Sequence, residues 1–245
     1  MPRYFIQVSY KGTQFSGFQK QDNANSIQAE VEKALAIYFR QAFELTCSSR
    51  TDAGVHALDN YFHFDSSEAI NLRKTSKGHG LNSILPAAIC IKDIYEVADN
   101  AHCRFDPLSR TYQYYIYQHK NPFLQDRAYF YPYTLDIEKL AAAAKALLNH
   151  TDFTSFSKRN TQVKTFDCTL FESEWFKEGD CLVYKVRGNR FLRGMVRGLV
   201  GTMLQVGRGK TDMEAFNSII EARDCSKADF SVPPQGLFLM KVIFP

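Results

Sequence analysis

From Arg3 to Tyr10 the residues Tyr4, Ile6, Val8 and Tyr10 alternate with Phe5, Gln7 and Ser9, the period-two pattern of a strand. After the polar loop "KGTQFSGFQKQDNANS", Ile27, Val31, Ala34, Leu35 and Tyr38 recur at helical spacing, with Asn25 or Ser26 placed to cap the helix. The stretch "SSRTDAGVHALDNYFHF" (48–64) reads as a polar turn entering a half-buried strand, and a shorter helix is expected from Glu68 to Asn82. "AAICIKDIYEV" and "RTYQYYIYQHK" read as strands. The pattern breaks near Asn121 and Pro122, and from Asp136 "IEKLAAAAKALLNH" begins a helix of strong helix formers. Two strand-like runs flank Glu178, Gly179 and Asp180, a hairpin turn. A long helix from about Phe191, a short one from Met213 to Ala222 and a closing strand "LFLMKVIF" complete the chain. Helices scattered among strands, with hairpins, predict an α+β fold in two halves, residues 1–105 and 106–245, rather than a doubly wound parallel sheet.

The long helix is the most unusual element. On a 3.6-residue turn Phe191, Leu192, Met195, Val196, Leu199, Val200 and Met203 gather on one side. Arg193, Gly194, Arg197, Gly198 and Gly201 share the other. Each glycine costs up to about 1 kcal/mol relative to alanine, a cost that makes sense where something approaches the backbone closely. That something is either a packed sheet or an anion held by arginine.

Composition narrows the class. Hydrophobic residues are 45% and charged residues 23%, which argues for a folded chain. The net charge of +4 supports an anionic partner only weakly. The six cysteines are scattered without a C-x-x-C pair or zinc-ligand spacing, so they read as reduced thiols of a cytoplasmic protein with no metal. No apolar stretch approaches the ~20 residues that span a bilayer.

Asp52 in "TDAG" reads either as a turn former bonding nearby amides or as a carboxylate projecting into a cleft from the end of a strand. If buried, it needs a partner, and arginine is the natural one. His56 and His63 have no third ligand at suitable spacing and read as strand or loop residues. Tyr112, Tyr114, Tyr115 and Tyr117 put rings on both faces of a strand flanked by Arg110 and Lys120. Most such tyrosines are structural, yet one can stack on an unpaired base.

Seven blocks together resemble the tRNA pseudouridine synthase A family from end to end: "YKGTQFSGFQKQ", "SRTDAGVHA", "LNSILP", "RFDPLSRTYQYYIY", "DFTSF", "NRFLRGMVRGLVGTMLQVG" and "PPQGLFL". The resemblance implies isomerisation of uridines in the anticodon stem and loop of tRNA to pseudouridine, with no metal or cofactor. It implies two α+β halves sharing a mostly antiparallel central sheet, a site in the cleft between them, and tRNA bound across a homodimer. The family's catalytic aspartate falls on Asp52, its tyrosine on Tyr112 and its late arginine on Arg197. Arg50 is implied to hold the target base out of the stack, with Arg190, Arg193, Lys164 and Phe18 as further RNA contacts. Phe18 stands where tryptophan is usual, Lys11 where aspartate is common, Ser49 where glycine or alanine is, and Lys164 where many members carry arginine.

The chemistry breaks the C1′–N1 bond, turns the base and joins C1′ to C5. An ionised carboxylate serves as nucleophile at C1′ or as base at C2′. The target base must be flipped, at a few kcal/mol. Two other readings remain at this level: a non-catalytic tRNA-binding chaperone, and a nucleoside hydrolase, for which Asp52 has no second carboxylate.

Overall fold

The structure, a computed structural model, describes residues 1–72, 78, 80–159 and 163–245. Of the helix expected over Glu68 to Asn82, residues 73–77 and 79 lie outside that set, while residues 68–71 and 80–82 are not helical. The fold is α+β, and the chain divides into two compact units: Met1–Leu108 with Phe238–Pro245, and Ser109–Leu237. The closing residues 238–245 thus belong with the first unit, because the last strand pairs there.

In the first unit, β1 (Arg3–Tyr10) lies between β3 (His56–Asp65) and β4 (Ile89–Val97), antiparallel to both. The short β2 (Thr46–Cys47) adds to β3 antiparallel, and β9 (Leu237–Ile243) adds parallel through His56↔Phe238 and Ala57↔Leu239. Helix α1 (Ile27–Phe39) begins at Ser26, whose hydroxyl accepts from the Ala29 amide. Its apolar stripe, Ile27, Val31, Ala34 and Leu35, is buried. Phe39 meets Phe43 edge-on and Phe43 meets Phe64 of β3, so apolar cover lies over the face of β3 that carries Phe62 and Phe64.

β3 is buried along nearly its whole length, not on one face only as its sequence pattern suggested. Its other face carries Asp59, Tyr61 and His63. Tyr61 and Phe5 both pack on Phe244, and Phe5 packs on Tyr95. A central strand flanked on both sides loses the alternation that marks a half-solvated one.

His63 is among these residues, stacked on Phe5 and edge-on to His102. Its Nδ1 accepts from the Cys103 amide at 3.3 Å, which leaves the proton on Nε2 in the neutral ring. Burial, with His102 and Arg3 nearby, pushes its pKa down to about 4. The unfolded chain protonates this ring near its ordinary 6.5. Between those values the unfolded state binds more protons, so this residue's contribution to stability is lost as pH falls through the window. Denaturation midpoints are expected to drop from pH 7 to pH 4.5, and His63→Phe to flatten that dependence. An unchanged slope in the variant would assign the acid sensitivity elsewhere.

In the second unit, β5 (Ser109–Tyr117), β8 (Cys181–Gly188) and β7 (Leu170–Glu178) form an antiparallel sheet in that order, and β6 (Tyr129–Phe130) adds parallel to β5. The β7–β8 turn is Gly179-Asp180, closing on Glu178↔Cys181 as the sequence predicts. Helix α2 (Ile137–Ala146), capped by the Asp136 carboxylate, packs on α3 (Met195–Gly207) and on β7. Helix α4 (Met213–Glu221) is capped by Asp212 and packs on α3.

All six cysteines are free, four of them buried. Among the described residues no helix is long and apolar enough to cross a membrane. Among the same residues no group of three His, Cys, Asp or Glu side chains is placed to hold a metal ion.

Candidate active site

Asp52 is carried by a short loop between β2 and β3. Its carbonyl accepts from the Val55 amide at 3.2 Å, closing a tight turn, and Gly54 sits at φ +80°, where a side chain would be strained. On one side the loop is bonded to its neighbours: Thr51 offers its carbonyl to the Phe18 amide and its hydroxyl to Tyr10 at 2.8 Å. On the other side His56, buried and stacked on Phe238, accepts from the Gly12 amide through Nδ1. The side chain of Asp52 is half-buried, and Arg50 before it is exposed. Cys47, the other reactive group nearby, is kept a thiol: burial pushes it up to about 12 although Arg50 pulls the other way. A carboxylate on a braced turn, with an exposed cation two residues before it, can present an anionic oxygen to a substrate without reorganising.

Phe18 is fully buried between Tyr10 and Phe62, stacked on the latter at 4.4 Å. Its ring is therefore part of the floor beneath the Thr51 loop and offers no exposed stacking surface. The phenyl group fills an apolar slot that its neighbours close completely.

In the second unit Tyr112 lies on β5 opposite Val186, 8% exposed, with its ring edge-on to Phe191. Tyr114 and Tyr117 are buried, and Tyr115 packs with Leu124 and Phe176 against a small core of Tyr117, Ala128, Cys181 and Val183. The Tyr114 hydroxyl donates to the Pro233 carbonyl at 2.7 Å. Burial raises its pKa even though Arg197 pulls it down.

Arg197 stands in the first turn of α3 and donates from Nε to the Val232 carbonyl at 2.9 Å. Residues 229–236 thus form a strap that holds both Tyr114 and Arg197. The periodicity of the sequence did not reveal this strap, though "PPQG" at its end is a stiff turn-forming stretch that signals it.

The glycines of α3 receive this strap. The helix starts at Met195 rather than Phe191, with Gly194 as a left-handed cap. A methyl group on Gly201 would run into the Asp229 carbonyl, and one on Gly198 would lie 2.8 Å from the Phe230 ring. Thr202 locks the same contact, accepting from the Asp229 amide at 3.0 Å, while Gln205 donates to the Asp229 carboxylate. So the close approach expected at these glycines is made by the protein's own chain, and the anion that the sequence also allowed is not needed to explain them. Gly201→Ala is expected to lower stability by about 1–3 kcal/mol, read as a shift in the urea midpoint. A neutral result would mean the strap yields without cost.

Of the remaining candidates, Arg190 donates to the Thr165 hydroxyl at 3.2 Å, bringing it beside exposed Lys164. Exposed Arg193 accepts at its carbonyl from the Lys158 amide.

The family model described as tRNA pseudouridine synthase matches residues 6–106 and 143–245. The chain belongs to the tRNA pseudouridine synthase family. The first matched stretch carries the Asp52 loop and the second Arg197 with its strap, while Tyr112 lies between the two. The chain is 44% identical, over its whole length and 97% of the relative, to tRNA pseudouridine synthase A of Parabacteroides distasonis. It is 42% identical over its whole length to the protein of that name from Bacteroides thetaiotaomicron, covering 91% of it. With the Staphylococcus saprophyticus protein of that name it shares 38% identity, over 98% of this chain and 90% of the relative.

Proposed function

We propose that this chain converts uridine to pseudouridine in the anticodon stem and loop of tRNA, with Asp52 as the group that attacks C1′ or removes the proton at C2′. Membership of the family makes it a tRNA pseudouridine synthase, an isomerase. The observation that carries the finer reading is the braced turn that presents Asp52, since a residue needed only for turn formation requires no such support from Tyr10, Phe18 and Thr51. Tyr112 stacks on the uracil and handles a proton at C5, and Arg197 holds the reacting carboxylate ionised and oriented. Arg50 enters the space left by the flipped nucleotide. Arg190, Arg193 and Lys164 contact phosphates, an electrostatic contribution that weakens with salt. The enzyme works in the cytoplasm as a homodimer, without metal or cofactor.

The test is an unmodified tRNA transcript incubated with the protein alone. The expected product has unchanged mass and releases tritium from C5 of uridine, at sites that map to the anticodon arm. Release of free uracil would point to hydrolysis instead, and binding without either product to a chaperone.

A further inference from the structure

Asn60 is a side-chain amide in the middle of an apolar strand, fully buried, and every hydrogen-bonding valence it has is used. Its Oδ1 accepts from the Ser49 amide at 3.3 Å and the Tyr61 amide at 2.9 Å. Two backbone donors converging on one atom fix that atom as the oxygen. Its Nδ2 donates to the Ser49 carbonyl at 2.8 Å and to the Tyr10 hydroxyl at 3.1 Å. The same Tyr10 oxygen shares a hydrogen bond with the Thr51 hydroxyl, 2.8 Å away, in which either group can donate. Asn60 seizes both backbone groups of Ser49 and, through Tyr10, the side chain of Thr51, the residue directly before Asp52.

We infer that Asn60 is a positioning residue for the reaction, acting through Tyr10 and Thr51 to fix the direction in which the Asp52 carboxylate points. This rests on Asp52 being the reacting group. The backbone turn at Asp52–Val55 closes by itself, so loss of the relay leaves the loop in place and loosens its aim. Misplacement by about 1 Å costs on the order of 10²-fold in rate. Such a loss falls on turnover and spares tRNA affinity, because none of the three side chains belongs to the cationic groups assigned to RNA.

The experiment compares the full-length protein with Tyr10→Phe, Thr51→Val, the double variant, Thr51→Ser and Asn60→Asp. Tyr10→Phe and Thr51→Val keep the buried shape and remove one hydroxyl each, so both should still fold, Tyr10→Phe with a lowered thermal midpoint because the buried Asn60 amide loses one of its partners. Each is expected to lower kcat about tenfold or more with KM for tRNA little changed, and the double variant to be no worse than either single one, as links of one chain require. Thr51→Ser, which keeps the hydroxyl, is expected to restore most of kcat. Asn60→Asp, which turns a donor into an acceptor, is expected to cost more in both rate and stability. Normal kcat in folded Tyr10→Phe and Thr51→Val, additive losses in the double variant, or losses confined to KM would each overturn the inference. With Asp52→Asn assayed alongside, turnover by that variant condemns the underlying assignment, whereas its inactivity beside unaffected Tyr10→Phe condemns the relay alone.

Discussion

Asp52→Asn is expected to abolish pseudouridine formation, with a loss in kcat on the order of 10³-fold or more, while tRNA still binds. The substitution keeps the volume of the side chain and leaves untouched the backbone bonds that shape the loop, from Val55 to the Asp52 carbonyl and from Phe18 to the Thr51 carbonyl. Folding should therefore be near normal. What is removed is the negative oxygen, and an amide supplies neither a nucleophile for C1′ nor a base for C2′. Binding separates this account from a structural one. The RNA is a polyanion, so deleting a carboxylate from the surface it meets cannot weaken attraction and should tighten it slightly at low salt. A tritium-release assay paired with filter binding reads both quantities. Substantial turnover by the variant would falsify the assignment of Asp52, and a parallel loss of binding would mean the loop itself had moved.

The readable parts of the sequence were those whose burial repeats with a local period. Strand β1, helix α1 with its serine cap, the β7–β8 hairpin and the Asp52 turn all follow from residues within a few positions of one another. The two-residue strands β2 and β6 carry too little pattern to stand out, and β3 lost its alternation because neighbours cover both faces. The site was legible as a set of residue types and obscure as a set of contacts. Gly198 and Gly201 announced a close approach but could not name Asp229 and Phe230 as the visitors, since nothing local links positions so far apart. The resemblance implied Phe18 as an RNA contact, yet tertiary packing buries it against Phe62. Asn60 is silent in the sequence, since a single polar residue in an apolar run gives no hint of four simultaneous partners.

For Arg197→Met the expected result is a fall in kcat of about 10²-fold or more, with the thermal midpoint lowered only modestly. The side chain does two separable things. Its Nε bonds the Val232 carbonyl and so ties α3 to the strap, a half-buried bond to a charged donor whose removal costs about 1–3 kcal/mol. Its charge is the proposed counterpart of the reacting carboxylate. The strap has independent anchors in Tyr114 to Pro233, Thr202 to Asp229 and Gln205 to Asp229, so losing one bond should leave the fold intact. Arg197→Lys distinguishes the two roles, because lysine keeps the charge but cannot reproduce the planar fork that bonds Val232 and still reaches outward. If the charge is what matters, the lysine variant falls between arginine and methionine in kcat while sharing the stability loss of methionine. Near-normal rates for Arg197→Met, measured by tritium release at saturating tRNA, would leave the guanidinium as a clamp on residues 229–236 and nothing more.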